Sequence, residues 1–238
     1  MQSGYFCSML FIIPLIIIVI ILCIKTKKLT IPASLTAGLV GLLIFAGAGY
    51  TGIIMLGAFF VMGILATSHK KLLKAVAGEH PEERTVGQVL ANGGVAAIMA
   101  GLALIDPGHA NIYLIMLAGS LASATADTLS SELGMVYGKN FYNILSFRRE
   151  QKGLDGVISM EGTLLGAAGA MVIAAIYAVS YGATPHCLII ALAGILGNAT
   201  DSVLGAALER KRYIGNDVVN FLNTLFAALT ALLFIYFI

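Results

Sequence analysis

Long apolar runs separated by short polar connections dominate the chain. Eight of them are long enough to cross a hydrocarbon layer about 30 Å thick as helices: 9–24, 31–48, 52–68, 88–105, 112–131, 161–180, 187–205 and 218–237. Their content of Leu, Ile, Ala and Val suits lipid better than the core of a sheet. The pattern predicts an all-α polytopic membrane bundle of about eight transmembrane helices, with residues 1–238 forming a single integral membrane domain.

The fifth run differs from the others because its second half is polar. Residues 120–132 read SLASATADTLSSE, which is too polar to face lipid along its whole length. We therefore expect this helix to be buried among other helices or to line a wet cavity.

The composition excludes an ordinary soluble domain. Hydrophobic residues make up 59% of the 238 positions and charged residues only 11%, whereas a soluble domain carries about 25% charged residues. The three cysteines, Cys7, Cys23 and Cys187, form no close pair, and we interpret them as small apolar side chains.

The positive charges predict an orientation. If the N-terminus lies outside, the inside connections are 25–30, 69–87, 132–160 and 206–217, and they hold all 14 Lys and Arg residues. The positive-inside rule then places both termini outside. The acidic residues other than Asp106 lie on the inner side as well, so we expect any chemistry to face the cytoplasm. No signal or transit peptide is recognisable, and we expect a prokaryotic plasma membrane.

Two aspartates lie inside predicted spans. Asp127 and Asp201 each follow the outer end of their helix by about 15 residues, which at about 1.5 Å per residue gives them a similar depth in the cytoplasmic third of the bilayer. Asn92 reaches a comparable level from the cytoplasmic side. Carboxylates inside a span are costly and usually bind ions, pair or line pathways. They indicate an ion or substrate site, and a polar network that only packs the helices is the alternative.

Polar groups of the cytoplasmic connections suit phosphate. The longest connection contains Lys139, Arg148 and Lys152, followed by the segment 153–159, which reads GLDGVIS and ends at Ser159. Backbone N–H groups freed by glycines, flanked by Lys and Ser, can cradle a phosphate. Ordinary positive-inside charge followed by a turn explains the same residues.

The last connection brings further amides and a carboxylate to the eighth span. Asn216, Asp217 and Asn220 lie at its start, where Asn216 is alternatively the N-cap of the helix and Asp217 is favoured by the helix dipole. The four histidines are scattered, so we expect no His-ligated transition metal. Carboxylates without histidine suit Mg²⁺ held together with substrate phosphates, and this layout favours an enzyme acting on a lipid phosphate.

Five segments carry a family resemblance. In order along the chain they are RTVGQVLANGG at 84–94, ATADTLSSELG at 124–134, GLDGVISMEGT at 153–163, GNATDSVLGA at 197–206 and NDVVN at 216–220. Together they resemble the integral-membrane family that includes the plant phytyl-phosphate kinase of tocopherol synthesis. The resemblance implies transfer of the terminal phosphate of a nucleoside triphosphate, CTP, to an isoprenyl monophosphate (phytyl, geranylgeranyl or farnesyl phosphate), which becomes the diphosphate.

The same resemblance places most candidate residues in the five segments, and the chemistry divides their roles. Lys139, Arg148 and Lys152 lie in the connection before the third segment. The expected catalytic residues are Asp127, Lys152, Asp155 and Asp201. The expected Mg²⁺ ligands are Asp127, Glu132, Asp201 and Asp217. The expected nucleotide- and phosphate-binding residues are Asn92, Ser131, Lys139, Arg148, Ser159, Ser202, Asn216 and Asn220.

Two other functions use the same features. A cytidylyltransferase would form a CDP-lipid and release pyrophosphate at the same membrane face. A transporter would also use a pair of intramembrane aspartates, although these polar groups cluster on the cytoplasmic side rather than at the midplane. The expected partners are an isoprenyl monophosphate lipid, a nucleoside triphosphate and membrane lipids, and no nucleic acid.

Overall fold

A computed structural model of the chain contains seven helices and one small β-hairpin within residues 2–69 and 83–237, which are the residues it describes; side chains are described from residue 11 onward. The elements are α1 Gln2–Lys25, α2 Ile31–Ser68, α3 Val86–Ile105, α4 Ala110–Tyr137, β1 Phe141–Asn143, β2 Val157–Ser159, α5 Met160–Tyr181, α6 Pro185–Leu204 and α7 Asn216–Ile235. Helices α2 to α7 are each long and apolar enough to cross a membrane. The prediction of an all-α polytopic membrane bundle is confirmed.

Helix α2 contains two of the predicted spans, joined at Gly49. The backbone of Gly49 leaves the helical region, with φ 61° and ψ −152°. The chain reverses there, because a Cβ built on Gly41 would lie only 3.5 Å from Cδ1 of Ile53, whereas a straight helix would separate these residues by about 18 Å. Helix α2 therefore contains both predicted spans 31–48 and 52–68, and the seven helices accommodate the eight predicted apolar runs.

Gly49 provides a test of this turn. Its backbone conformation is open essentially to glycine alone, so we expect Gly49→Ala to lower the stability by about 1–3 kcal/mol. No atom lies within 4 Å of a Cβ at this position, so the cost is conformational rather than steric. The measurement is thermal unfolding of the purified protein in detergent.

Gly57→Ala is the matched control for the turn. Gly57 lies in the helical part of α2, and a Cβ there also meets nothing within 4 Å. Alanine favours a helix over glycine, so the control is expected to keep or slightly raise the stability. Equal losses in the two variants would contradict the special role of Gly49.

Helix α4 is the central element of the bundle. Every residue from 114 to 126 is buried, and the helix continues past the predicted end at 131 to Tyr137. Apolar content alone could not locate this end, because the final turns lie among polar groups. The approach of α6 is close, since a Cβ on Gly194 would lie 2.7 Å from Cβ of Ala122. Small residues thus bring polar segments of neighbouring helices together.

The β-hairpin was not expected from the sequence. Its strands pair antiparallel, with Phe141 opposite Ser159 and Asn143 opposite Val157. Each strand has three residues, too few for a recognisable periodicity. The hairpin places the 153–159 segment against the end of the bundle. The predicted connection at 70–82 and the side chain of Cys7 lie outside the described residues.

Candidate functional site

A cavity of about 650 Å³ lies at the end of the bundle where the positively charged connections meet. Its lining comes from the ends of α2, α3 and α4, from the 153–159 segment, and from the ends of α6 and α7. Its volume is in the range of about 300–1,000 Å³ that small-molecule sites occupy. The cavity is therefore large enough to hold a small molecule.

The aspartate pair lies inside this cavity. The carboxyl groups of Asp127 on α4 and Asp201 on α6 are within hydrogen-bonding contact of each other. Behind them, Asn223 of α7 is fully buried and donates from Nδ2 to Oδ2 of Asp201 at 2.5 Å. Ser123 in turn donates to Oδ1 of Asn223 at 3.0 Å. This chain of hydrogen bonds fixes the direction of the Asp201 carboxylate from three helices.

A second contact beside the pair joins α4 to α6. Oγ of Ser130 donates to Oδ1 of Asn198 at 2.9 Å. Gly166 of α5 leaves room for this amide, since a Cβ there would lie 2.8 Å from Nδ2 of Asn198. The segments around the two aspartates therefore contact one another through Ser130 and Asn198.

Three further carboxylates line the cavity: Glu132, Asp155 and Glu209. Glu132 accepts a hydrogen bond from Thr67 at 2.8 Å. Glu209 ends a π-helical turn at 205–209 that follows α6. Within the described part of the chain, no group of three or more His, Cys, Asp or Glu residues is arranged around one metal position. A cation here would take two carboxylates, with its other ligands from substrate or water.

Arg84 contributes a positive charge to the wall formed by α2 and α3. Its side chain is partly buried and reaches the cavity, and a Cβ on Gly63 of α2 would lie 3.1 Å from its Nη2. Burial lowers the pKa of the Arg84 guanidinium, and the nearby Glu132 carboxylate acts in the opposite direction. An arginine remains charged under either influence.

The glycine-containing turn is held over the cavity. Gly153 and Gly156 adopt left-handed φ values of 83° and 73°. Arg210 anchors the turn, because its Nη2 donates to the carbonyl of Asp155 at 2.5 Å and its Nη1 donates to Glu150 at 2.8 Å. The hydrogen bond from Arg210 holds the pKa of the Glu150 carboxyl below its usual range. This pair lies outside the membrane-spanning segments and ties the hairpin to the α6–α7 connection.

Ser159, Asn216 and Asn220 all line the cavity, with different local partners. Oγ of Ser159 accepts from the N–H of Gly162 at 3.1 Å and caps α5. Asn220 donates to Oδ1 of Asn216 at 3.0 Å. The N-cap position of α7 belongs to Gly215, so the alternative reading of Asn216 as the N-cap is wrong.

The structure brings most of the candidate residues together and leaves four elsewhere. Those lining the cavity are Asn92, Asp127, Ser131, Glu132, Asp155, Ser159, Asp201, Ser202, Asn216 and Asn220. Lys139, Arg148 and Lys152 are exposed and are not among the lining residues. Asp217 instead faces Gly87 at the start of α3, in a smaller pocket between α3 and α7. Charge in a connection does not determine which way a side chain points.

The lining residues that the sequence analysis missed include Arg84, Gln88, Asn198 and Glu209. Gln88 lies one helical turn before Asn92, and its carbonyl accepts from Asn92 Nδ2 at 2.9 Å, so helical spacing could have found it. Asn198 lies three residues before Asp201, on the same face of α6. No sequence signal indicates the π-helical turn that carries Glu209.

The opposite half of the bundle is closed by apolar side chains. Leu117, Leu121 and Ile190 are fully buried there, as are Ala193 and Ala228. The polar cavity therefore ends within the bundle on that side, and the described residues enclose it as a site that opens toward one membrane face.

Comparisons with known proteins agree with this architecture. A family model described as "Integral membrane protein DUF92" matches residues 14–228. The chain is similar to the uncharacterized membrane protein MJ0933 of Methanocaldococcus jannaschii, with 34% identity over 226 residues that cover 94% of this chain and 93% of that protein. It is also similar to "Protein VTE6, chloroplastic" of Arabidopsis thaliana, with 29% identity over 212 residues that cover 85% of this chain and 64% of that protein.

A cyanobacterial protein is a third relative. The membrane protein sll0875 of Synechocystis is 29% identical over 216 residues, which cover 88% of this chain and 84% of that protein. No solved structure matches the chain. The match over almost the whole length, together with the helical bundle, shows that the chain belongs to the DUF92 family of integral membrane proteins.

Proposed function

We propose that this protein is a membrane kinase that transfers the terminal phosphate of a nucleoside triphosphate to an isoprenyl monophosphate. The observation that carries the proposal is the contact of Asp127 with Asp201 in a polar cavity at one end of a transmembrane bundle. The resemblance to the family of the plant phytyl-phosphate kinase supports the same reaction. The membrane location suits a substrate whose apolar chain stays in the bilayer while its phosphate enters the cavity.

Mg²⁺ is the cation that we propose for this site. The donors fit it, because Asp127 and Asp201 offer adjacent carboxylate oxygens without histidine or cysteine, and Mg²⁺ is typically held by one or two carboxylates together with substrate phosphates. When bound, it would neutralise phosphate charge that five lining carboxylates otherwise repel. In this proposal Asp127 and Asp201 hold the ion, and Asn223 keeps the second of them in place.

The chemistry requires positioning rather than a strong base. An oxygen of the acceptor monophosphate forms a bond to the terminal phosphorus of the donor, and the bond from that phosphorus to the bridging oxygen breaks, releasing the nucleoside diphosphate. The attacking oxygen is already anionic, so no proton has to be removed. Asn92 is suited to orient a substrate by accepting a hydrogen bond from it, since its Oδ1 is buried and has no hydrogen-bond partner within the described structure.

CTP is the donor that the family resemblance favours, and product analysis tests the whole proposal. The purified protein in detergent is incubated with Mg²⁺, CTP labelled at its terminal phosphate, and phytyl, geranylgeranyl or farnesyl monophosphate, and the lipids are separated. We expect the label in a lipid diphosphate and CDP in the aqueous phase. A CDP-lipid with pyrophosphate would instead establish a cytidylyltransferase, and no product with CTP, ATP, GTP or UTP would overturn the proposal.

A further inference from the structure

Arg84 is the only Lys or Arg among the described residues that line the cavity. The same lining carries the carboxylates of Asp127, Glu132, Asp155, Asp201 and Glu209. Among the described residues, Arg84 therefore supplies the fixed positive charge that a phosphate meets when it enters this cavity, on the wall formed by α2 and α3. The positive charge of Arg84 attracts an anion even when no metal ion accompanies that anion.

The backbone of Arg84 is held on both sides. Its N–H donates to the carbonyl of Lys28 at 3.1 Å, and its carbonyl accepts from the N–H of Thr30 at 3.1 Å. The next residue, Thr85, caps α3 in a reciprocal pair with Gln88. These contacts fix the backbone position from which the Arg84 side chain extends. Its guanidinium packs against Gly63, where a larger side chain would occupy the space. The charge is therefore positioned before any substrate arrives.

The guanidinium of Arg84 is available to bind a ligand. It forms no hydrogen bond or ion pair with another side chain in the described parts of the chain, and its interaction with Glu132 is electrostatic at longer range. Glu132 instead accepts from Thr67. A partly buried guanidinium with free N–H donors carries a desolvation cost that a bound anion offsets. Its planar fork matches the geometry of phosphate oxygens.

We infer that Arg84 binds the phosphate of the lipid acceptor, an inference that rests on the proposed function. Asp155 and Glu209 line the same cavity and interact electrostatically with each other and with Asp201. A triphosphate that arrives with Mg²⁺ would tolerate these carboxylates, because the ion would offset their negative charge. A lipid monophosphate arrives without a divalent ion and requires a protein cation. The lipid phosphate thus binds on the side of Arg84 and Glu132, and the nucleotide binds nearer to Asp155 and Glu209.

Kinetics of Arg84 variants test this assignment. We expect Arg84→Gln to raise the KM for farnesyl monophosphate by about tenfold to a hundredfold, the usual effect of losing charge-assisted hydrogen bonds, with the KM for CTP unchanged. Arg84→Lys keeps the charge but not the fork and should lie between the two. Arg149→Gln is the matched control, since Arg149 is exposed over the ring of Tyr142 and outside the cavity lining.

A binding measurement separates this inference from the kinase itself. Labelled farnesyl monophosphate is equilibrated with each purified variant in EDTA and without nucleotide, and thermal unfolding verifies that each variant is folded. We expect the native protein and Arg149→Gln to bind and Arg84→Gln to lose binding. Equal binding by Arg84→Gln, or a change in the KM for CTP alone, overturns the inference and leaves the kinase. Binding through Arg84 without any phosphate transfer supports the inference and overturns the kinase.

Discussion

Replacement of Asp127 by asparagine is expected to abolish phosphate transfer while leaving the protein folded. An asparagine keeps the shape of the side chain but removes the charge that would hold a cation beside Asp201. A bound metal ion contributes several kcal/mol of transition-state stabilisation, so we expect the turnover rate to fall about a thousandfold or more. The measurement is the rate of lipid diphosphate formation with saturating substrates.

The same variant should change stability in the opposite sense to activity. Without a cation, two adjacent carboxylates repel each other when both are ionised, and an amide at position 127 can donate to Asp201 instead. We therefore expect the Tm of Asp127→Asn in EDTA to equal or exceed that of the native protein. A ligand that binds only the folded state raises the Tm, so the increase on adding Mg²⁺ should disappear. A merely structural aspartate would lose stability when replaced.

Asp106→Asn is the matched control. Asp106 lies in a connection at the opposite end of the bundle, where it accepts from His109 at 2.8 Å and from Tyr113 at 3.2 Å. The hydrogen bond from His109 lowers the pKa of this carboxyl, so it is a charged group of the same kind. The control should keep both its activity and its Tm response to Mg²⁺. Near-normal turnover of Asp127→Asn, or a retained Mg²⁺ response, would contradict the role of Asp127.

The sequence predicts the aspartate pair because the depth of a residue in the membrane follows from the number of residues between it and the end of its helix. The outer ends of α4 and α6 are marked by apolar runs, and a constant rise per residue then puts Asp127 and Asp201 at one level. The helices also run in the same direction, so equal depth becomes contact once small residues let them approach. The amides Asn92, Asn216 and Asn220 follow for the same reason, since each lies near the helix end that meets the cavity.

Counting residues along the chain does not predict which way a side chain points outside the spans. Lys139 and Lys152 belong to the longest connection, yet the hairpin turns them to the surface. Arg84 reaches the cavity because its backbone pairs with the distant segment around Leu29. Glu209 depends on a π-helical turn whose extra residue rotates the chain. Long-range pairing and local irregularity thus determine which charges enter the site, and neither leaves a periodic signal in the sequence.

A large loss of activity is also expected from a substitution in the glycine-containing turn at 153–159, because this turn needs a backbone conformation that favours glycine. Gly156 has φ 73°, and a Cβ there would lie 2.5 Å from the backbone nitrogen of Ala206 and 2.6 Å from its Cα. These are backbone atoms of the turn after α6, so the clash cannot be relieved by a side-chain rotation. An alanine at 156 must displace the 153–159 segment from its position against Ala206.

We expect Gly156→Ala to lose most of its phosphate-transfer activity. The displaced segment carries Asp155 and other residues that line the cavity, and a displacement of about 1 Å in a positioning element can cost about a hundredfold in rate. Its contact with Arg210 through the carbonyl of Asp155 should break as well. The checks are kcat for lipid diphosphate formation and the Tm in detergent.

Gly153→Ala separates the close approach from the backbone conformation. Gly153 has φ 83°, so both variants incur the left-handed cost of about 1–2 kcal/mol. A Cβ on Gly153, however, meets only the flexible end of Met135, at 3.4 Å from its Cε. The control should therefore lose some stability and retain most of its activity, while Gly156→Ala loses both. Equal activity in the two variants would mean that activity does not depend on the contact between Gly156 and Ala206. The 153–159 segment would then be excluded as part of the reactive site.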